Sequence, residues 1–110
     1  MEADFSQFTA LDLRVGTILE AKFFDKAIKP AYQLKINFGE AGILQSSAQL
    51  TLRYTAEDLI GMQIIAVINF PVKRISGFRS DCLVLGATDE HGDVVLLRPE
   101  QPVPDGWKIA

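Results

Sequence analysis

The sequence predicts an all-β fold, a small closed barrel of five or six short antiparallel strands with one brief helix between the third and fourth strands. Strict alternation of apolar and polar residues over 32–38 is typical of a half-buried antiparallel strand. Short apolar stretches separated by turn residues recur along the chain, without a strand–helix–strand rhythm. Thr55, Asp58 and Gly61 together predict a short capped helix in the interval after the third strand.

The chain begins with Asp4 and Gln7 in the spacing of a capping box, which predicts a short helix that closes one end of the core. Residues 11–24 then alternate well enough to predict one long strand. Gly16 within this strand suggests a bend or a bulge. One face of the strand is expected to carry Leu11, Leu13, Val15, Thr17, Leu19 and Ala21, and the other face Asp12, Arg14, Gly16, Ile18 and Glu20.

The remaining elements follow the same logic of apolar runs bounded by turn residues. Further strands are expected over 43–52, 62–70, 82–87 and 94–98, with turns at 39–42 and 89–93 and a stiff, proline-rich tail over 99–109. The five-stranded oligonucleotide/oligosaccharide-binding (OB) barrel has its helix in the interval found here, whereas an immunoglobulin-like sandwich needs more strands and no helix. We therefore expect a single OB-fold domain over residues 1–110 with N- and C-terminal extensions.

Composition limits the class of function. The net charge of −3 argues against a strong, non-specific nucleic-acid binder, which is usually basic overall. No apolar run approaches the roughly 18–20 residues that span a bilayer, so no membrane insertion is expected. The N-terminus lacks the pattern of a signal peptide, and one cysteine cannot form an internal disulfide. A reducing, cytoplasmic location is the expectation.

An enzymatic role is not expected. Cys82 and His91 are the only cysteine and histidine, and Cys82 opens an apolar strand where a buried, inert thiol is usual. Two such residues cannot supply the four ligands of a structural zinc site. The segment 77–80 is too short for a phosphate-binding loop. No cofactor or metal is expected.

The most informative stretch is 69–86, a basic loop between two apolar strands. It carries Lys73, Arg74 and Arg79, and no acidic residue lies between Leu59 and Ser80. A glycine-hinged loop of this kind is expected to present its charges and the ring of Phe78 outward. These groups would suit phosphates and a stacked base, or they would be a solvated surface that keeps the protein soluble.

A protein-binding surface is a further hypothesis, because the chain has many large apolar side chains for a small barrel. Phe23 and Phe24 are adjacent, so both cannot point inward from one strand. Phe38 and Phe70 are expected in the core. An aromatic side chain that stays outside would contribute to a partner surface or a subunit interface.

Several motifs, in order along nearly the whole chain, resemble the tRNA-binding-domain family, and within it most closely the CsaA subgroup of export-related chaperones. These motifs are Asp12–Ile18, Gly42–Ala48, Asn69–Ile75, Gly77–Ser80, Val84–Gly86, Gly92–Leu97 and Gln101–Pro104. The resemblance implies an OB-type barrel that works as a homodimer through its terminal segments. It also implies a chaperone activity on unfolded preproteins, held in apolar pockets near the dimer boundary.

The wider family includes C-terminal domains of methionyl-tRNA synthetases that bind tRNA by its structure, and their basic loop differs from this one. Ser76 stands where those domains commonly have arginine, and Cys82-Leu83 stands where Gly-Met is common. Losing a bidentate phosphate donor weakens tRNA binding. We therefore expect an export-related chaperone that binds extended polypeptides without nucleotide hydrolysis, with tRNA binding through 69–80 as the alternative. The expected binding residues are Gln45, Ser46, Ser47, Asn69, Lys73, Arg74, Gly77, Phe78, Arg79 and Ser80.

Overall fold

A five-stranded antiparallel sheet in the order β3-β2-β1-β4-β7 curls into a nearly closed barrel in the computed structural model, which describes residues 1–110. The predicted all-β OB barrel is confirmed. The strands are β1 Leu13–Phe23, β2 Tyr32–Asn37, β3 Ile43–Ala48, β4 Gln63–Val67, β5 Lys73–Ile75, β6 Phe78–Ser80, β7 Leu83–Val84, β8 Gly86–Thr88 and β9 Val94–Leu96. The helices are α1 Phe5–Thr9 and α2 Ala56–Leu59, with a 3-10 turn over Gly39–Ala41.

Both helices begin where the capping pattern predicts. Asp4 caps α1 in a capping box with Gln7, and Thr55 caps α2 in a second box with Asp58. The helix α2 lies between β3 and β4, as expected for an OB fold. The helix α1 buries no residue, so the expectation that it closes one end of the core is wrong. Neither α-helix has the length and apolar content needed to cross a lipid bilayer.

The irregularity in β1 lies after Gly16, not at it. The pairing of β1 with β2 shifts register between Ile18 and Glu20, which leaves Leu19 as the extra residue of a bulge. Before the bulge Gly16 and Ile18 face the core, opposite to the predicted faces, and Leu19 is 41% exposed. The bulge changes the alternation, so that Ala21 packs against the core after it. Gly16 is needed for a different reason, because a Cβ there would lie 2.6 Å from the ring of buried Phe38.

The barrel closes along a seam between β3 and residues 79–82. Only one hydrogen bond across this seam joins two backbones, from the Asp81 amide to the Gln45 carbonyl at 2.8 Å. Five other bonds across it involve a side chain. Among them, Ser46 Oγ donates to the Cys82 carbonyl at 2.9 Å, the Ser47 amide donates to Ser80 Oγ at 3.1 Å, and the Gln45 amide donates to the Asp81 carboxylate at 3.1 Å. Side-chain atoms therefore complete the wall where a continuous strand ladder is missing.

The segment after the seam is more broken than the sequence predicts. The expected fifth strand over 82–87 divides into β7, which pairs with β4, and β8, which pairs with β9 in a separate hairpin. The strand β9 therefore does not close the main sheet. At the C-terminus the extended tail runs beside β1, where the Val15 amide donates to the Trp107 carbonyl and the Ile109 amide to the Leu13 carbonyl, each at 2.9 Å.

Candidate binding groove beside the basic hairpin

The segment predicted as a basic loop is a short β-hairpin, called here the 73–80 hairpin: β5, the turn Ser76–Gly77 and β6. Both turn residues have positive φ, 47° at Ser76 and 82° at Gly77. That combination defines the two-residue turn whose twist matches paired strands. Ser76 Oγ also donates to the Lys26 carbonyl at 3.0 Å, which fixes the hairpin tip against the loop after β1.

A groove of about 810 Å³ lies between this hairpin, the loop before β2 and the end of β3. Its apolar lining includes Ile28, Phe70 and Leu83, which are 98%, 44% and 49% exposed. The groove is lined by Ala27, Ile28, Lys29, Ala31, Ser47, Ala48, Gln49, Leu50, Phe70, Pro71, Lys73, Arg74, Ile75, Ser76, Ser80, Asp81, Cys82, Leu83, Val84 and Val94. This is enough room for several side chains of an extended polypeptide.

The charge on the groove is positive. Lys29, Lys73 and Arg74 are exposed, and none of them takes part in the five ion pairs of the protein. The one acidic residue in the lining, Asp81, is already paired with Arg79 at 2.6 Å. The cationic side chains on the rim are therefore free to meet an anionic group on a ligand.

The predicted binding residues divide into three groups. Ser47, Lys73, Arg74 and Ser80 line the groove. Gly77 and Phe78 line a separate depression of about 380 Å³, together with Lys22, Lys26 and Phe23. Gln45, Ser46, Asn69 and Arg79 line neither cavity.

Phe78 does not present its ring outward as expected. The ring is half-buried and packs edge-on against Phe24, with the centroids 5.5 Å apart. Phe24 is 3% exposed and its neighbour Phe23 is 53% exposed, so the expectation that one member of this pair stays outside is confirmed. Phe78 thus attaches the hairpin to the barrel.

Three of the predicted polar binding residues form hydrogen bonds within the protein, which gives them a structural role. Ser46 is 1% exposed and its hydroxyl belongs to the seam. The Gln45 side chain donates to the Arg79 carbonyl at 3.3 Å. The Asn69 amide accepts from the Asp12 amide at 2.8 Å and donates to the Ala10 carbonyl at 2.9 Å, which holds the segment between α1 and β1.

The apolar half of the groove is made by residues outside the predicted binding set. The sequence predicts Phe70 in the core; its side chain is exposed in the groove lining, so that prediction is wrong. Pro71 directly after it ends the strand, which was a usable signal that Phe70 lies beyond the sheet. Ile28 and Leu50 lie in loops whose position in space no local pattern reveals.

Cys82 does not supply a nucleophile. Burial, and then the nearby carboxylate of Asp81, raise the pKa of the Cys82 thiol to about 12, so it stays protonated at neutral pH. His91 is exposed in the turn between β8 and β9. No group of three or more His, Cys, Asp or Glu side chains is arranged to hold a metal ion.

Residues 13–108 match the sequence profile of the family described as "Putative tRNA binding domain". The chain belongs to this tRNA-binding-domain family. Its residues 13–108 include all of the barrel, the hairpin and the groove lining, and they exclude only the N-terminal segment with α1 and the last two residues.

Among solved members of the family, two chaperones resemble the chain over their full length. The chaperone CsaA from Bacillus anthracis is 55% identical with a TM-score of 0.96, and each chain is covered completely. The CsaA chaperone protein from Picrophilus torridus is 46% identical with a TM-score of 0.91, covering 99% of this chain and 100% of the other. The predicted resemblance to CsaA chaperones is confirmed.

Other members are parts of enzymes. A methionine–tRNA ligase from Methanothrix thermoacetophila is 41% identical over 105 residues, which are 96% of this chain. The chain spans only about 15% of the length of that ligase and of the other ligases that it matches. The shared part is the tRNA-binding-type domain.

Proposed function

We propose that the protein is an export-related molecular chaperone that binds unfolded or extended polypeptides in the groove without nucleotide hydrolysis. The observation that carries the proposal is the apolar lining left open to solvent by Ile28, Phe70 and Leu83. Burying apolar surface is favourable by about 25 cal/mol per Å², which offsets the cost of association without an energy source. The likeness to two CsaA chaperones over the full chain supports the same reading.

We propose further that it acts in the cytoplasm as a homodimer joined through its terminal segments. The helix α1 has five residues and buries none of them, although isolated helices of this length are unstable in water. Phe5 in α1 is 75% exposed and Trp107 in the tail is 57% exposed. Large apolar side chains at both termini suit an interface between two copies.

The second candidate function is binding of tRNA by the 73–80 hairpin. It is favoured by the free cationic side chains of Lys73 and Arg74, together with membership of the tRNA-binding-domain family. Few phosphate contacts are available at the groove, so binding of tRNA would be modest in affinity and would weaken steeply with salt.

The chaperone proposal is tested by suppression of aggregation of a chemically denatured protein, followed by light scattering at low and high salt. Ile28→Ser is expected to weaken suppression at both salt concentrations, because it removes apolar surface from the groove. Ile60→Ser is the matched control, since Ile60 is 54% exposed outside the groove. Equal effects of the two substitutions, or no suppression by the unaltered protein, would contradict the proposal.

The tRNA alternative is tested by the salt dependence of tRNA binding, measured by fluorescence anisotropy. If Lys73 contacts a phosphate, Lys73→Ala reduces the slope of log K against log salt by about 0.9. Lys35→Ala removes the same charge from a position outside the groove and is the control. An unchanged slope in Lys73→Ala would exclude a phosphate contact at this residue.

A further inference from the structure

The outer edge of β5 is an unpaired strand edge on the groove. The strand β5 pairs with β6 on one side only, and β6 lies next to β3 across the seam. An open strand edge offers backbone donors and acceptors to another extended chain. Here the edge borders a groove with an apolar lining, so both parts of a strand-binding site occur together.

The register of the hairpin identifies which backbone groups are free. Because the turn has two residues, Ile75 and Phe78 form a hydrogen-bonded pair, and Lys73 and Ser80 form the next one. The intervening Arg74 therefore points its amide and carbonyl away from β6. No hydrogen bond joins either group to another part of the chain.

The two faces of β5 differ in chemistry. Ile75 shares a face with Phe78, which packs against the barrel, so this face is directed inward. Arg74 points to the opposite face and carries an unpaired positive charge. A strand added beside β5 would place alternate side chains against Ile75 and the groove lining, and the others beside Arg74.

We propose that the groove binds a polypeptide as an added strand on β5, and that it selects segments in which apolar and acidic residues alternate. The inference rests on the proposed function and specifies its substrate class. The Arg74 amide and carbonyl hydrogen-bond to the backbone of the segment, which supplies affinity that does not depend on sequence. Lys29, Lys73 and Arg74 favour acidic side chains and disfavour basic ones.

The same features oppose self-association of the protein through this edge. The strand β5 is short, follows Pro71 and carries two cationic side chains, and these properties oppose pairing of two identical edges. An acidic segment removes the charge repulsion that two copies of β5 would experience. Positive charge at the edge therefore excludes a second copy and admits an acidic strand.

The test uses capped eight-residue peptides that alternate valine with glutamate, and their binding is measured by calorimetry. A lysine counterpart is expected to bind about tenfold more weakly at low salt, because the cross-strand charge pair with Arg74 changes from attractive to repulsive. Two N-methylated forms of the glutamate peptide block alternate amides. Only one of the two is expected to lose binding, by about tenfold, since only one set of amides faces β5 in an added strand.

A pair of protein variants gives a second measurement. Arg74→Ala removes the positive charge but keeps the unpaired backbone amide. Arg74→Pro removes both the charge and the backbone N–H, and it breaks no hydrogen bond between β5 and β6. Arg74→Pro is expected to bind the glutamate peptide roughly 2- to 12-fold more weakly than Arg74→Ala. Circular dichroism establishes that both variants are folded. The comparison of the glutamate, lysine and N-methylated peptides uses the unaltered protein, so it tests the inference even if a variant does not fold.

The outcomes separate this inference from the proposed function. If the protein suppresses aggregation but tolerates both N-methylated peptides equally, the added strand is excluded and the chaperone function stands. If the lysine peptide binds as tightly as the glutamate peptide, selection for acidic segments is excluded. If the protein binds neither denatured protein nor peptide, both proposals fail.

Discussion

The seam predicts that Ser46 stabilises the barrel and does not act as a ligand contact. Ser46→Ala removes the hydroxyl that donates to the Cys82 carbonyl at 2.9 Å, and the site is 1% exposed, so water does not replace the bond. Leaving a buried acceptor unsatisfied costs about 1–3 kcal/mol. With a typical urea m-value of about 2 kcal/mol per M, the midpoint of unfolding falls by about 1 M.

The measurement is equilibrium unfolding in urea at one fixed protein concentration, followed by tryptophan fluorescence and circular dichroism. Ser47→Ala is the matched control, because Ser47 contributes its backbone amide to the seam and its hydroxyl makes no hydrogen bond. The control is expected to change the free energy of unfolding by less than about 0.5 kcal/mol. Equal stabilities of the two variants would refute the assignment of the Ser46 hydroxyl to the seam.

Three further predictions concern other features of the fold. Burial raises the pKa of the Cys82 thiol from its ordinary 9.0 to about 12, so the stability that the neutral thiol contributes below pH 9 is lost as the pH rises toward 12. The free energy of unfolding is measured across this range for the protein and for Cys82→Ala. The difference between the two should fall by about 1.4 kcal/mol per pH unit. Gly16→Ala should destabilise the protein by about 1–3 kcal/mol through overpacking against Phe38, and Phe38→Leu in the same chain should recover part of the loss in thermal unfolding. If α1 packs at a dimer interface, Phe5→Ser raises the dimer dissociation constant in sedimentation, and a wild-type monomer at micromolar concentration would contradict the homodimer proposal.

The sequence predicts the scaffold well because the scaffold depends on local signals. Period-two alternation locates β2, and the capping residues locate both helices within a residue. The order of motifs identifies the family correctly. The positive charge of the hairpin is also visible in the sequence, since Lys73 and Arg74 stand in a stretch without acidic residues.

The rest depends on contacts between distant parts of the chain. The bulge at Leu19 makes the core-facing residues of β1 even-numbered before it and odd-numbered after it, and nothing near Leu19 in the sequence distinguishes this position from a regular strand. Ser46 resembles a surface serine until Cys82 is placed opposite it across the seam. Phe70 is a large apolar residue of the kind found in cores, but β4 ends at Val67, before it. In each case the environment of the side chain depends on a residue elsewhere in the chain or on where the strand ends. The local pattern alone therefore cannot show whether the side chain is buried or exposed.

The way in which the barrel is closed has a consequence for how easily its parts can change. The strands β1, β2, β3 and β4 pair through many backbone hydrogen bonds, which almost any side-chain substitution leaves intact. The seam beside the groove is instead held mainly by hydrogen bonds of serine, glutamine and aspartate side chains, so a single substitution can weaken it. Variation among descendants of this chain should therefore alter the width of the groove sooner than it alters the barrel.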